Sequence, residues 1–397
     1  MGLLKHYYDK VVFDQFNLLN QETNDYLLKE WDGSASTIKN TEFYEKVSSE
    51  ILKTFGILYE DDLPIEIWRV IRSLRRIILN PTEIHEQMNI LCKINETLPA
   101  QRSPAWHAFR ENLLTASSWG NIFGYIGSRK DVILQKCGYE PAQFKGNKYT
   151  RWGVKYESIV IRIYEKRTGK NIIDFGCMRH SSPDNFFLGA SPDGISADGG
   201  MLEAKVPQLR NIGLIPTDYY MAQMWGQLEV CNLEICYFLE CKIHEFNTVE
   251  EYMDHVHQVE NGLITENIEC GVSVDFFIDA DTVKTIHSDF FIKDDSIDKF
   301  ISDSIDENNG IKFIGVTYWK IEIYQCNPVF RNREWFAWAR EHLKNFYNEL
   351  QFYRKVGYKS LLTERQYKPK KDDMEDTKIT DYDGFQKKSV KPRYSFD

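Results

Sequence analysis

Three side chains of types suited to phosphate chemistry lie close together in the stretch SPDGISADGGMLEAKV, residues 191–206. They are Asp193, Glu203 and Lys205. The segment Asp198–Gly200 marks a turn between them, because its two glycines accept the positive φ that tight hairpins require. Side chains alternate across a strand, so Glu203 and Lys205 are predicted to share one face of the returning strand.

These side chains favour metal-assisted hydrolysis of a phosphodiester. Asp193 and Glu203 supply the hard oxygen ligands that Mg²⁺ prefers. A bound divalent ion lowers the pKa of its water and screens the charge that builds on the phosphate. Lys205 beside two carboxylates keeps its proton, so we expect it to orient the attacking water or hold the phosphate. The alternative is a surface salt bridge between Glu203 and Lys205, which explains most E-x-K pairs on strands.

Four blocks of the chain match one family in order and spacing. They are Trp106-x3-Arg110-x4-Thr115-Ala116-Ser117, a block from Trp152 to Gly169, the hairpin, and Tyr220-Met221-Ala222-Gln223. Together they span residues 104 to about 245, and the hairpin has the spacing D-x9-E-x-K with Pro192-Asp193 intact. On these motifs the chain resembles the lambda exonuclease family, also called YqaJ-like viral recombinases, of the PD-(D/E)xK nuclease superfamily.

The resemblance implies roles for individual residues. Asp193, Glu203 and the main-chain carbonyl of Ala204 match the metal ligands of the family. Glu157 matches a carboxylate near the metal, and Gln223 matches a glutamine that reaches toward the active site to contact the lysine or the attacking water. An ordinary exposed helix glutamate and a buried glutamine bonded to the backbone are the alternatives for these two residues.

A second group of matched residues concerns the DNA end. Arg110 and Ser117 match residues that bind the 5′-terminal phosphate in the family, and a guanidinium with a hydroxyl at a helix N-terminus forms a suitable anion pocket. The alternative is an arginine in a surface ion pair and a serine that only caps a helix. Lys148 aligns with a DNA-contacting lysine of the family, and Ser191 is also predicted to contact DNA.

The resemblance implies a Mg²⁺-dependent deoxyribonuclease, with two ions and with Mn²⁺ able to substitute. It is expected to act as a 5′→3′ exonuclease on linear double-stranded DNA ends, leaving 3′ overhangs for recombination, repair or viral DNA processing. Family members can form rings that enclose DNA, so a homo-oligomer is an option, as is a single-strand annealing protein as a partner. Two alternatives stay open: a structure-specific endonuclease with the same site, and a catalytically silent scaffold that binds DNA ends.

The elements that must position these residues suggest an α/β fold. We expect a restriction-endonuclease-like core over residues 99–355, with a mixed central sheet flanked by helices, a helical N-terminal region at 1–98 and a charged, mobile tail at 356–397. The arginines between 69 and 76 lie on one predicted helix face, either against DNA or in solvent. The spacing of apolar residues predicts helices that open at Ser103-Pro104 and cover 151–166, 218–230 and 335–353, and strands over 172–177, 235–240, 272–278 and 311–324.

Composition sets broad limits. The 397 residues, 42% of them hydrophobic, are ample for a buried core. We expect no membrane span, because no run of about eighteen apolar residues occurs, and no secretory signal at the N-terminus. Eight cysteines without a CxxC pair argue against a zinc or iron–sulfur site and a disulfide framework, and they fit a cytoplasmic protein or, for a viral one, the replication site. The net charge of −10 confines any DNA contact to a local basic groove.

Overall fold

The structure is a computed structural model, and it describes residues 81–101, 103–139, 148–213, 216–279 and 282–362. The predictions for the arginines at 69–76 and for the tail beyond residue 362 lie outside these described residues. The domain boundaries at residues 98 and 355 remain predictions.

The described residues form both helices and strands. The helices are α1 (Pro81–Asn95), α2 (Pro104–Glu111), α3 (Trp119–Phe123), α4 (Arg129–Lys136), α5 (Lys148–Thr168), α6 (Asp218–Cys231), α7 (Val249–Glu260), α8 (Asp295–Glu307), α9 (Arg333–Val356) and α10 (Lys359–Leu362). The strands are β1 (Leu114–Thr115), β2 (Ile172–Ile173), β3 (Met178–Arg179), β4 (Leu188–Ala190), β5 (Gly194–Ser196), β6 (Gly200–Lys205), β7 (Ile235–Phe246), β8 (Cys270–Phe277), β9 (Val283–His287) and β10 (Lys312–Phe330).

A mixed sheet forms the centre of the fold. Its strand order is β2-β5-β6-β7-β10-β8-β9, with β6 and β7 parallel and the other neighbours antiparallel. Neighbouring residues of β6 face opposite sides: Met201 packs in a core with α6 and α9, and Leu202 packs in a core with α5. Helices therefore flank the sheet on both faces, which confirms the predicted fold class.

The predicted hairpin is formed by β5 and β6. Gly194 lies opposite Leu202 in an antiparallel pair. At the turn Gly199 has a φ of +81° and its N–H donates to the Ser196 carbonyl over 2.9 Å. The Asp198 carboxylate accepts a hydrogen bond from the Gly200 N–H. This turn therefore depends on the glycine and aspartate that the sequence indicated.

The strand predicted over 172–177 is wrong as a single element. β2 belongs to the large sheet, whereas β3 belongs to a separate sheet with the order β1-β4-β3. Between them the side chain of Asn95, at the end of α1, donates to the Asp174 carbonyl and accepts from the Gly176 N–H, each over 2.8 Å. These bonds replace the ladder bonds that a continuous strand would need.

The other predicted elements are present. α6 covers the helix predicted over 218–230, and most of its residues are buried. β7, β8 and β10 confirm the later strands, and β7 and β10 extend well beyond their predicted ends. α9 confirms the helix predicted over 335–353, and it buries Trp335, Ala339, Phe346 and Leu350. β9, α7 and α8 were not predicted.

Two further observations bear on the composition. All eight cysteines fall within the described residues, and each is a free thiol. Among the described helices there is none whose length and apolar content would suit it to crossing a bilayer.

A buried ion network anchors the end of α6. Arg331 donates from Nε to Glu229 over 2.8 Å, and His180 Nε2 lies 3.9 Å from the same carboxylate. Burial alone would raise the pKa of Glu229, but the nearby His180 and the hydrogen-bonded Arg331 outweigh it and lower the pKa to about 2. Because the folded pKa lies below the ordinary 4.5, the stabilisation is complete above pH 4.5 and is lost as the pH falls toward 2.

We therefore expect Glu229→Gln to lower the free energy of unfolding by roughly 3 kcal/mol at pH 7. The difference from the parent should shrink to about half near pH 3, because the unfolded carboxyl is then mostly protonated while the native one is still mostly ionised. Urea unfolding at the two pH values measures it. Glu341→Gln, in an exposed pair with Arg340, should change stability by less than about 0.5 kcal/mol. An equal loss for Glu229→Gln at both pH values would contradict the assignment.

Candidate active site

The hairpin brings Asp193, Glu203 and Lys205 together. Asp193 lies just before β5, and its Oδ2 accepts from the Ala204 N–H over 2.7 Å. The Asp193 side chain therefore accepts the hydrogen bond that the main chain of β5 would accept if the strand continued along β6. Glu203 and Lys205 form an ion pair on the same strand. The sequence-predicted set therefore meets at one end of the hairpin.

Glu203 is 1% exposed, so its pair with Lys205 is not a surface salt bridge. Its Oε1 accepts from Lys205 Nζ and, over 2.6 Å, from Gln223 Nε2. Its Oε2 accepts from Gln227 Nε2 over 2.7 Å. Donors to both oxygens compensate for the loss of water around a buried carboxylate. Each carboxylate oxygen can accept about two hydrogen bonds. Oε1 accepts two and Oε2 accepts one, so one acceptor position of Oε2 is left.

The charges of the site are strongly coupled. Burial alone would lower the pKa of Lys205, but Glu203 and Asp193 outweigh it and raise the pKa, so the lysine stays protonated as predicted. For Asp193, burial and then the negative charges of Glu203 and Glu157 raise the pKa well above its ordinary value. Excess negative charge among oxygen ligands is the setting in which a divalent cation binds.

The residues fit a hard divalent cation on the chemistry of their donors. Two carboxylates, of Asp193 and Glu203, converge beside the main chain of Ala204. Within the described ranges no group of three or more His, Cys, Asp or Glu side chains is arranged to hold a metal. A cation here would therefore depend on main-chain oxygen and water for its remaining ligands, which is the usual way in which proteins bind Mg²⁺.

A cavity of about 470 Å³ opens beside this group. It lies between α5, β2 and β9, and both Asp193 and Glu157 line it. Glu157 thus faces the same space as Asp193, as the family match implied. Lys155, also in the lining, lies 3.0 Å from Asp275 and 3.3 Å from Glu245, so protein carboxylates already balance its charge.

The structure places Gln223 against a different group from the expected one. Its amide contacts Glu203, whereas the sequence suggested Lys205 or water. Gln227, one turn further along α6, contacts the other oxygen of the same carboxylate. The spacing of four residues between the two glutamines was the signal that both reach one place.

Arg110 and Ser117 are brought together at a second group. Arg110 Nη2 lies 3.2 Å from Ser117 Oγ and 3.4 Å from Thr115 Oγ1, and its guanidinium stacks over the Trp106 ring at 4.2 Å. Ser103 caps α2 through its Oγ, which accepts from the Trp106 N–H. Hydroxyls and an aromatic face hold this arginine, in place of the surface ion pair considered above.

Two further cations lie beside Arg110. Lys136 Nζ donates to the Arg110 carbonyl over 2.6 Å, and Arg354 Nη2 donates to the Glu111 carbonyl over 2.6 Å. Burial, then Arg110 and Arg354, lower the pKa of Lys136 to about 8. These cations were not predicted, because no local pattern relates Arg354 to α2 across 243 residues. Together they make a place that favours an anion.

Ser191 connects the two groups. Its Oγ accepts from Trp106 Nε1 over 3.2 Å, and its carbonyl accepts weakly from Gln227 Nε2 over 3.4 Å. Lys148 does not lie in either group. It begins α5, nine residues before Glu157, which is about 13 Å along the helix. Its Nζ lies over the Tyr149 ring.

His180 lies away from the three side chains of the hairpin site and is largely buried. Its side chain is 9% exposed, close to Glu229, and its ring stacks on Phe336. The histidine is therefore neither solvated nor placed as a metal ligand, because packing and the ion network at the end of α6 hold it.

Comparison with known proteins identifies the region that contains the site. Residues 105–234 match the YqaJ-like viral recombinase domain. The chain is 27% identical over 337 residues to the uncharacterized protein R354 of Acanthamoeba polyphaga mimivirus, which covers 75% of the chain. The chain spans 59% of the length of that viral relative.

Two solved structures are similar to part of this chain. The alkaline exonuclease LHK-Exo from Laribacter hongkongensis has a TM-score of 0.39 at 15% identity, over 66% of this chain and 99% of its own. A phage-related exonuclease from Haemophilus somnus 129PT has a TM-score of 0.31 at 16% identity, over 64% and 96%. The match, over residues 105–234, to the model of the YqaJ-like viral recombinase domain confirms the resemblance that the sequence blocks indicated.

Proposed function

We propose that the chain is a metal-dependent deoxyribonuclease that removes nucleotides from the 5′-ended strand of linear duplex DNA. The observation that carries the proposal is the convergence of Asp193, Glu203 and Lys205 at one end of the hairpin. The YqaJ-like match over 105–234 supports it, because that domain contains all three residues.

Each side chain has a task that its surroundings suit. Mg²⁺, or Mn²⁺ in its place, would be held by Asp193, Glu203 and the Ala204 carbonyl, with two ions in the site, and supplies an acidified water and charge neutralisation. Lys205 stays protonated and stabilises negative charge on the attacked phosphate or orients the water. Gln223 fixes the Glu203 carboxylate, and Glu157 adds a carboxylate on the cavity side.

The basic group at α2 would hold the end of the DNA. Arg110, Ser117 and Lys136 offer guanidinium, hydroxyl and ammonium donors, which suit a terminal phosphate. Ser191 joins this group to the cleavage site, so an anchored 5′ phosphate would lie at a fixed distance from the attacked bond. That arrangement supports 5′→3′ direction and 3′ overhangs. A homo-oligomer and a single-strand annealing partner are the assemblies that the family resemblance adds to the proposal.

Digestion of linear and closed-circular duplex DNA tests the proposal. Purified protein with Mg²⁺ should release nucleotides from linear duplex and leave the circle intact, and EDTA should stop the reaction. Cutting of the circle would show an endonuclease with the same site. Binding of DNA ends without Mg²⁺- or Mn²⁺-dependent release of nucleotides would show a silent scaffold.

Arg110→Ala is expected to erase the preference for phosphorylated 5′ ends. Losing a charge-assisted hydrogen bond costs about 1.5–3 kcal/mol, so cleavage of 5′-phosphate ends should fall roughly tenfold to a hundredfold. Cleavage of 5′-hydroxyl ends should change little. Initial rates on the two duplexes measure this, with Arg340→Ala in an exposed pair as the control. Equal rates of the parent on both ends would refute the pocket.

A further inference from the structure

Gln227 lies between the carboxylate of the cleavage site and Ser191, and it is 1% exposed. Its Nε2 is 2.7 Å from Glu203 Oε2 and 3.4 Å from the Ser191 carbonyl. A carboxylate and a carbonyl can only accept hydrogen bonds, so the chemistry of both neighbours fixes the orientation of this amide with Nε2 toward them.

The other end of the amide has a different environment. Gln227 Oε1 is buried, and among the described residues it has no hydrogen-bond donor. Buried carbonyl oxygens in folded proteins almost always accept a hydrogen bond from protein or from ordered water. An acceptor of this kind beside a carboxylate indicates that the site holds a donor that is not a side chain of the described chain.

We propose that Gln227 is a positioning residue of the cleavage site, which holds Glu203 and accepts a hydrogen bond from a water molecule bound there. This inference rests on the proposed function. With Gln223 on Oε1 and Gln227 on Oε2, the two amides fix the plane of the Glu203 carboxylate. Gln227 also links that plane to Ser191, and through Ser191 to Trp106 in the group that contains Arg110.

The role is tested with Gln227→Met, which keeps the length of the side chain and removes both polar groups. The matched control is Gln87→Met. The Gln87 amide also anchors α6, because its Nε2 donates to the Cys231 carbonyl over 2.9 Å, but it lies at the far end of the helix. Both variants of the full chain are measured for thermal unfolding, Mn²⁺ affinity by electron paramagnetic resonance without DNA, and kcat and KM for nucleotide release.

We expect Gln227→Met to weaken Mn²⁺ binding about tenfold to a hundredfold, the usual effect of removing a partner of a metal ligand. The kcat should fall by a similar factor, with KM for DNA within threefold. Gln87→Met should leave the Mn²⁺ affinity, kcat and KM within twofold of the parent. If Gln227→Met does not fold, Gln227→Asn gives the same comparison, because its amide is one methylene too short to reach Glu203.

Unchanged Mn²⁺ affinity and unchanged kcat in a folded Gln227 variant would overturn the inference. So would equal losses in the Gln87 control, since they would show a general effect on α6. A parent that binds Mn²⁺ but releases no nucleotides would refute the proposed function alone. The Mn²⁺ affinities of the two variants would still decide the role of Gln227.

Discussion

Lys205→Ala is expected to reduce nucleotide release about a thousandfold, while the affinity for a DNA end changes by less than threefold. Lys205 is the cation nearest to both carboxylates, and Glu203 and Asp193 keep it protonated. Its charge can therefore act on the attacked phosphate throughout the reaction. The loss should fall on kcat, because one partly exposed lysine adds little surface for binding DNA.

Two further variants separate this effect from a loss of folding. Lys205→Met keeps the apolar stem and removes only the ammonium group, so it should lose as much activity with less effect on stability. Lys344→Ala, on the exposed face of α9, should keep full activity. Substantial cleavage by a folded Lys205→Met variant would show that this lysine does not take part in the chemistry.

Asp193→Asn is expected to abolish metal binding while the hairpin stays folded. Asparagine is isosteric with aspartate, and its carbonyl oxygen can still accept from the Ala204 N–H that Asp193 now binds. What the substitution removes is the negative charge, and a hard divalent cation depends on it. We expect Mn²⁺ affinity to fall at least about a hundredfold, beyond the usual effect of outer partners, and nucleotide release to become undetectable.

The same hairpin supplies the control. Asp198→Asn lies at the turn, where the carboxylate pairs with Lys170 and accepts from Gly200 N–H. It should lower stability modestly and leave Mn²⁺ affinity unchanged. Isothermal titration with Mn²⁺ measures the metal affinity of each folded variant. Equal losses of Mn²⁺ affinity in the two variants would show that the negative charge at 193 has no special role.

The grouping of Asp193, Glu203 and Lys205 could be predicted because the spacing of these residues is local. Glycines at the turn and the alternation of Glu203 with Lys205 define the hairpin within fifteen residues, and apolar spacing defines the helices that carry Glu157 and Gln223. Each of these signals depends on neighbours in sequence. The structure adds the contact between Gln223 and Glu203, for which the sequence offered the right helix but the wrong partner.

Contacts between distant segments could not be predicted. Asn95 satisfies the backbone at Asp174 and Gly176, which interrupts a stretch whose composition favours a strand. His180 lies next to Glu229 only because tertiary packing brings the two segments together. Lys136 and Arg354 meet at α2 from opposite parts of the chain. Periodicity has no information about such pairs, since tertiary packing decides them.

The most direct test of the account is a crystal structure of the full chain soaked with Mn²⁺ and a duplex end carrying a 5′ phosphate. We predict an anomalous peak in contact with the carboxylates of Asp193 and Glu203, with Lys205 facing the phosphate next to it. An anomalous map with Mn²⁺ bound elsewhere, or with no peak at these two carboxylates, would contradict the central claim.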